Sequence, residues 1–272
     1  MFEQVQHTLW SFAILALAFV PLELAFAPQP AVTRRRGYGL DLACFAGQYL
    51  LWNAPVVAWL GLLEQLLHQA PLGGLRAAFA TWPLWLQFAT AMLLSDLATY
   101  WGHRWQHASP FLWRFHRLHH TAEHVDWIAA HREHPLDTVY TRTIENLPLL
   151  VLGFSLTSVA AFVVFRGIWA LFIHSHCTLS LGPLDTLLGS PRLHHAHHAI
   201  DGGGRVNFAN LSPLMDVVFR TYHDPGRLPE RVGIDEPYAR GYLGAMLEPL
   251  LPRRARASDS AEAKPVDDRA PA

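Results

Sequence analysis

Leu9–Ala27, LWSFAILALAFVPLELAFA, is interrupted by a single charge, Glu23. At about 1.5 Å per helical residue it is long enough to cross a hydrocarbon core about 30 Å thick. A cleaved signal peptide is the rival reading, because Ala25-Phe26-Ala27 has the small-x-small form. The region before the apolar stretch carries Glu3 and no Lys or Arg, which weighs against that rival. The whole chain of 272 residues agrees with a membrane protein: 51% is hydrophobic and 16% charged, against about 25% charged in soluble domains. The same proportions exclude disorder. A net charge of -1 supplies no basic field for nucleic acid, and two cysteines, Cys44 and Cys177, cannot build a disulfide scaffold or a Cys-rich zinc module.

Outward from this stretch, the run Arg34, Arg35, Arg36 separates it from a second, about Leu42 to Leu67. Gln48, Asn53, Pro55 and Glu64 within it predict a span packed against other helices and kinked at the proline. A third runs from about Trp82 to Tyr100, and a fourth, Leu147 to Ile173, holds one charge, Arg166. As one straight helix the fourth would measure about 40 Å; Pro148, Gly153 and Arg166-Gly167 equally suit a helical hairpin. The positive-inside rule puts the arginine run in the cytoplasm, the N-terminus outside, and the end of the third helix, at His103, back on the cytoplasmic side. If the histidines before and after the fourth region share one site, that region must cross twice or dip and return, which favours the hairpin. The expected fold is all-α and integral to the membrane. It has about four transmembrane spans or hairpins and a cytoplasmic helical cap carrying a histidine-rich di-metal site.

Of 17 histidines, 14 fall between His103 and His198. His103 and His107 stand four apart at the end of the third helix, on one face, with Asp96 and Tyr100 on the same stripe. His116, His119 and His120 follow at i, i+3, i+4, and His194, His197 and His198 repeat that spacing. Each histidine by itself reads as a solvated or hydrogen-bonded residue; the joint spacing points to metal. Eight imidazoles exceed the four ligands of one tetrahedral zinc site and suit two metals. Imidazole accepts iron, zinc, copper and nickel, so ligand type alone does not name the metal.

His103-Arg-Trp-Gln-His107, Leu112-Trp113-Arg114-Phe115-His116-Arg117-Leu118-His119-His120 and His194-His195-Ala196-His197-His198 resemble the three histidine boxes of the fatty acid hydroxylase/sterol desaturase superfamily. Asp96 before the first box, Arg132-Glu133-His134-Pro135-Leu136-Asp137 after the second and His174-Ser175 before the third are similar to further family segments. So are Asn207-Phe208 and Asp216-Val217-Val218-Phe219-Arg220-Thr221-Tyr222. The resemblance covers about Ser95 to Tyr222.

It implies a membrane oxygenase whose histidines hold two irons at the cytoplasmic face, the inner membrane's if the source is bacterial. A lipid C–H bond offers no leaving group and no acidic proton, so acid–base or nucleophilic side chains cannot attack it, whereas a di-iron centre given two electrons can reduce and cleave dioxygen. The implied ligands are His103, His107, His116, His119, His120, His194, His197 and His198, with His134 and His174 as further candidates. Zinc is a possible replacement where iron is scarce. Asp96, Glu133 and Asp137 are candidates to orient imidazoles from behind, Asp96 foremost. His131, His176 and His195 read as supporting or exposed residues, His124 as a loop residue, and His7, His68 and His223 as structural or interfacial.

The domain reading is 1–94 for N-terminal transmembrane helices and 95–222 for the catalytic domain, including a membrane hairpin near 147–173. Residues 223–251 form a C-terminal helical or loop segment, and 252–272 a tail whose composition predicts disorder. The expected activity is hydroxylation or desaturation of a fatty acyl chain, a sterol-like lipid or an alkylglycerol, with O2 as co-substrate. Both outcomes share the first hydrogen abstraction. The partners are the lipid, the bilayer and a separate electron-transfer protein, because no nicotinamide, flavin or haem motif is visible; nucleic acid is excluded. The alternative class is a membrane metal transporter or metal-binding protein, which would place its histidines near the membrane midplane rather than at helix ends.

Overall fold

The computed structural model describes residues 2–28, 35–202 and 204–251; Arg34 of the arginine run, Gly203 and the expected tail at 252–272 lie outside the described residues. Helices α1 (Phe2–Phe26), α2 (Tyr38–Gly47) and α3 (Asn53–Gln69) are followed by α4 (Gly73–Ala80), α5 (Leu84–Ala108) and α6 (Pro110–His120). Then come α7 (Pro135–Leu152), α8 (Ala160–His174), α9 (Pro191–His197), α10 (Leu214–Val218) and α11 (Tyr242–Leu247). Among the described residues no strand forms beyond one isolated antiparallel bridge, Ala199 with Val232.

Among the described residues two helical segments are long and apolar enough to cross a membrane, Phe2–Phe26 and Tyr38–Gln69. On α1, Leu9, Trp10, Ile14 and Leu17 are all exposed. Apolar surface facing outward suits lipid rather than water. The second segment joins α2 to α3 through a π-helical turn, Gln48–Trp52, in which the Asn53 N–H donates five residues back to the Gln48 carbonyl. Pro55 explains its position. The pyrrolidine ring has no N–H to donate and crowds the carbonyl four residues earlier, Leu51, so the preceding turn widens instead of closing in α register.

The third apolar stretch enters α5 at Leu84, and the helix continues past it to Ala108. The fourth is a hairpin. α7 ends at Gly153, whose left-handed φ of 95° lets Phe154 N–H turn back to the Leu149 carbonyl, and α8 returns antiparallel, Val159 packing with Leu149 and Arg166 lying 3.7 Å from Glu145. α5 and α7 approach closely at Gly102, where an added Cβ would lie 2.7 Å from Ile144 Cγ2. Ser95 Oγ also donates to the Glu145 carbonyl at 2.6 Å.

α1 is attached to the histidine region. Phe12 and Phe19 pack on Trp127, and Glu23 Oε1 accepts from the backbone N–H groups of Trp127 and His176, each at 2.9 Å. A second tie is ionic: Asp41, fully buried at the start of α2, meets Arg35 at 2.6 Å and Arg132 at 2.5 Å, while Arg35 also meets Asp126 at 2.7 Å. Removing one charge from such a buried set leaves cations without counter-ions, which costs about 3–5 kcal/mol. Asp41→Asn is therefore expected to lower the thermal midpoint of the detergent-solubilised protein by a margin consistent with that loss. A midpoint equal to wild type would show that the ion cluster contributes nothing net.

Candidate metal centre

Nine imidazoles gather into two groups, His103, His107, His116, His120 and His197 in one and His119, His174, His194 and His198 in the other. Within each group one ligand atom per residue lies within 4.8 Å of all the others. α5 supplies His103 and His107; α6 and α9 serve both groups, because helical spacing turns adjacent histidines apart. On α6 the i, i+4 pair His116 and His120 faces the first group and His119 the second. Around α9 the pair His194 and His198 faces the second group and His197 the first. All eight box histidines are thus brought together, and His174, from the end of α8, joins them. His134 does not: its Nδ1 accepts from Leu136 N–H at the start of α7 and its Nε2 lies 3.0 Å from the Met246 carbonyl, so both nitrogens are engaged.

In the first group all five Nε2 atoms are buried without a hydrogen-bond partner. Three of the rings show why. His103 Nδ1 lies 2.8 Å from the Phe208 carbonyl, His197 Nδ1 2.7 Å from the Val206 carbonyl and His116 Nδ1 2.9 Å from Asp137 Oδ2. A carbonyl or carboxylate oxygen only accepts, so the ring proton sits on Nδ1 and Nε2 turns a lone pair inward. The second group packs Nε2 against Nε2, at 3.0 Å for His119 with His174, 2.9 Å for His174 with His194 and 3.2 Å for His194 with His198. His174 Nδ1 donates to the Ala170 carbonyl at 2.6 Å, so its own Nε2 is a bare acceptor with one lone pair, insufficient for both neighbours. A cation about 2.0–2.1 Å from each nitrogen holds neighbouring ligands roughly 3 Å apart. Both donor sets therefore fit a transition-metal ion. Burial first, then neighbouring imidazoles, hold His119, His120, His194 and His198 well below the ordinary histidine range, and His197 is pushed down to about 3. Neutral rings are what a metal requires.

The acceptors behind the rings are themselves held. Asn207, left-handed at φ 53°, sits between the Val206 and Phe208 carbonyls, and its side chain donates to the Leu193 and His223 carbonyls. Asp216 accepts from Phe208 N–H, Ala209 N–H and Thr221 Oγ1. Asp137 takes Gln106 Nε2 at 2.6 Å on its other oxygen. Asp96 stands elsewhere: Leu211 and Ser212 donate backbone N–H groups to it and Arg166 supplies the nearby charge. Glu133 accepts from Thr138 Oγ1, and burial pushes its carboxyl up. Of the three carboxylates singled out by sequence, Asp137 is the one bonded to a grouped imidazole.

The remaining histidines are placed around this centre. His195 Nε2 donates to the His174 carbonyl at 3.0 Å, His124 stacks near His176 with ring centroids 4.4 Å apart, and His131 lies against Gln48. His7, His68 and His223 fall in neither group. Trp113 packs on His107 and His120 at 5.0 and 5.4 Å and walls the first group.

A cavity of about 420 Å³ reaches both groups, through His103 and His116 on one side and His119, His174 and His194 on the other. α1 and α8 line it with Ile14, Leu15, Val164, Ile168 and Leu171. Of these, Ile14, Val164 and Ile168 are exposed, so solvent-accessible apolar side chains share one cavity with the imidazoles.

Residues 88–221 match the Fatty acid hydroxylase family. The ornithine lipid hydroxylase OlsE of Rhizobium tropici is 31% identical over 174 residues, covering 62% of this chain and 52% of the relative. Human alkylglycerol monooxygenase is 32% identical, covering 49% of this chain and 30% of the relative, and the Delta(7)-sterol 5(6)-desaturase ERG3A of Gibberella zeae is 27% identical over 53% of this chain and 40% of the relative. The chain thus spans about half the length of the first relative and less of the others. No solved structure matches it significantly.

Elemental analysis of the purified protein is expected to give about two transition-metal ions per chain, one for each imidazole group. Asp137→Asn keeps a side-chain acceptor behind His116 but removes the charge, and should weaken metal retention about 10- to 100-fold. Asp96→Asn, which touches no grouped imidazole, should retain metal near the wild-type level. The reverse order in metal content would show that Asp137 does not orient His116.

Proposed function

We propose, for a chain whose histidine region belongs to the fatty acid hydroxylase family, that it is a multi-pass membrane oxidoreductase inserting oxygen into, or desaturating, a C–H bond of a lipid. The single observation that carries this reading is the cavity that joins both imidazole groups to the outward-facing apolar side chains of α1 and α8. Iron is the metal proposed for both groups. Two irons in these positions supply the dioxygen chemistry that an unactivated C–H bond requires.

The chain's own contributions follow from its geometry. Nine imidazoles bind, and Asp137 together with the Val206 and Phe208 carbonyls places ring protons on Nδ1. Ile14, Leu15, Val164, Ile168 and Leu171 receive hydrocarbon and exclude water, which confines the oxidant to the lipid. In balance, hydroxylation takes one C–H bond, one O2, two electrons and two protons to C–OH and water; desaturation takes two C–H bonds on adjacent carbons, with the same O2, electrons and protons, to a C=C bond and two waters. A separate electron-transfer protein delivers the electrons at the cytoplasmic side, where the helical cap carries the site. The proposed topology adds α5 and the α7–α8 hairpin to the two long apolar helices, so that residues 1–94 anchor and 95–222 catalyse.

The ornithine lipid hydroxylase and alkylglycerol monooxygenase relatives support a glycerolipid or aminolipid substrate, and the sterol desaturase relative a polycyclic one. Lipid profiling of membranes with and without the chain is expected to show products heavier by one oxygen or lighter by two hydrogens. His119→Ala and His197→Ala, one from each group, should lose metal and that product together. Full product formation by either variant would overturn the two-metal oxygenase.

A further inference from the structure

Apart from the grouped imidazoles, two buried polar atoms on the cavity wall have no partner among the described residues, His131 Nε2 and Asn210 Oδ1. His131 is the more fully buried, at 8% exposure. Its ring is held from three sides: edge-on to Phe45 at 4.9 Å, tilted against Tyr49 at 6.1 Å, and by Nδ1 at 2.8 Å from Gln48 Oε1. An amide oxygen only accepts, so Nδ1 carries the proton and Nε2 presents a lone pair. Burial, with His174 and Arg142 adding repulsion, holds this ring neutral, its pKa pushed down to about 3.

The support for that ring is itself unusual. Gln48 and Tyr49 stand on the π-helical turn between α2 and α3, and both line the cavity. π turns within α-helices concentrate at functional sites, because the widened turn re-aims side chains that α register would point elsewhere. The neighbouring charged groups on the wall are already engaged, Arg142 with Glu145 at 2.8 Å and Glu133 with Thr138 at 3.1 Å. A buried acceptor is thus left open in the chamber that contains the imidazoles, and an acceptor without a donor is costly to bury.

Taking the lipid-oxidation reading as its premise, we infer that His131 Nε2 accepts a hydrogen bond from the substrate. The lipid therefore carries a hydroxyl or amide N–H near enough to the oxidised carbon for both to occupy one cavity. His131 is then a substrate-positioning residue, and a plain hydrocarbon segment remote from any donor is the wrong substrate class.

The test is equilibrium binding to the purified, metal-loaded protein in nanodiscs, using two probe pairs: hexadecan-1-ol with 1-methoxyhexadecane, and hexadecanamide with N,N-dimethylhexadecanamide. After correction for partition into protein-free nanodiscs, wild type should prefer the donor-bearing member of at least one pair by roughly tenfold, the value of one buried hydrogen bond. Which pair discriminates tells hydroxyl from amide. His131→Phe should bring the ratio to about one, and His131→Gln, which restores an acceptor, should recover part of it. If His131→Phe loses metal and hence fold, Gln48→Leu serves instead, since it leaves the imidazole but removes the acceptor that fixes its proton; it too should lose the preference. A wild type that does not discriminate, including one that binds neither pair, or a His131→Phe protein that keeps the ratio, overturns the inference. Lipid oxidation in cells is scored separately: discrimination without oxidised lipid removes the oxygenase reading alone, and oxidised lipid without discrimination removes the His131 assignment alone.

Discussion

Imidazole lone pairs aimed at a common point repel one another, and the rings can be held that way only if each is uncharged and turned from behind by a bond at its other nitrogen. Three of the five rings of the first group are turned from behind in this way, through the Phe208 and Val206 carbonyls and the Asp137 carboxylate. Much of the irregular backbone after α9 serves these bonds. Asn207 adopts a left-handed conformation between the two carbonyls, Asp216 collects the Phe208, Ala209 and Thr221 donors, and Gln106 steadies Asp137.

The helices that carry the rings need their own reason to approach, since apolar surfaces facing lipid gain nothing by meeting each other. Buried polar contacts supply it. Asp41 draws Arg35 and Arg132 together and so ties the start of α2 to the segment after the second box, while Arg166 on α8 reaches Ser95, Thr99 and Glu145 across three helices. Each of these charges would be expensive alone in an apolar setting, and each has its counter-charge or hydroxyl within reach. The result brings α5, α7 and α8 together beside the histidines.

A cavity with one apolar wall and one polar wall follows from that arrangement. α1 and α8 contribute aliphatic side chains because they face outward as well as inward; the π turn and α7 contribute Gln48, Tyr49, Arg142 and Glu145. The amphipathic lipid inferred for it would set its hydrocarbon against α1 and α8 and its polar group toward His131.

Hydropathy and spacing sufficed for much of this. The apolar run at Leu9–Ala27 and the eight clustered histidines are local properties, since helix length and an i, i+4 repeat depend on nothing but neighbouring residues. What lay beyond local pattern was the partition. Spacing puts His116, His119 and His120 on one face, yet about 100° of rotation per residue sends His119 to a different group from His116 and His120, and only the approach of α8 and α9 decides which. His174 enters a group, and His134 caps a helix instead, for the same reason: a lone histidine carries no periodicity, so its neighbours in space determine what it does. Asp137 rather than Asp96 stands behind a grouped imidazole because α7 packs against the end of α5, a contact between segments about thirty residues apart that no short-range signal encodes.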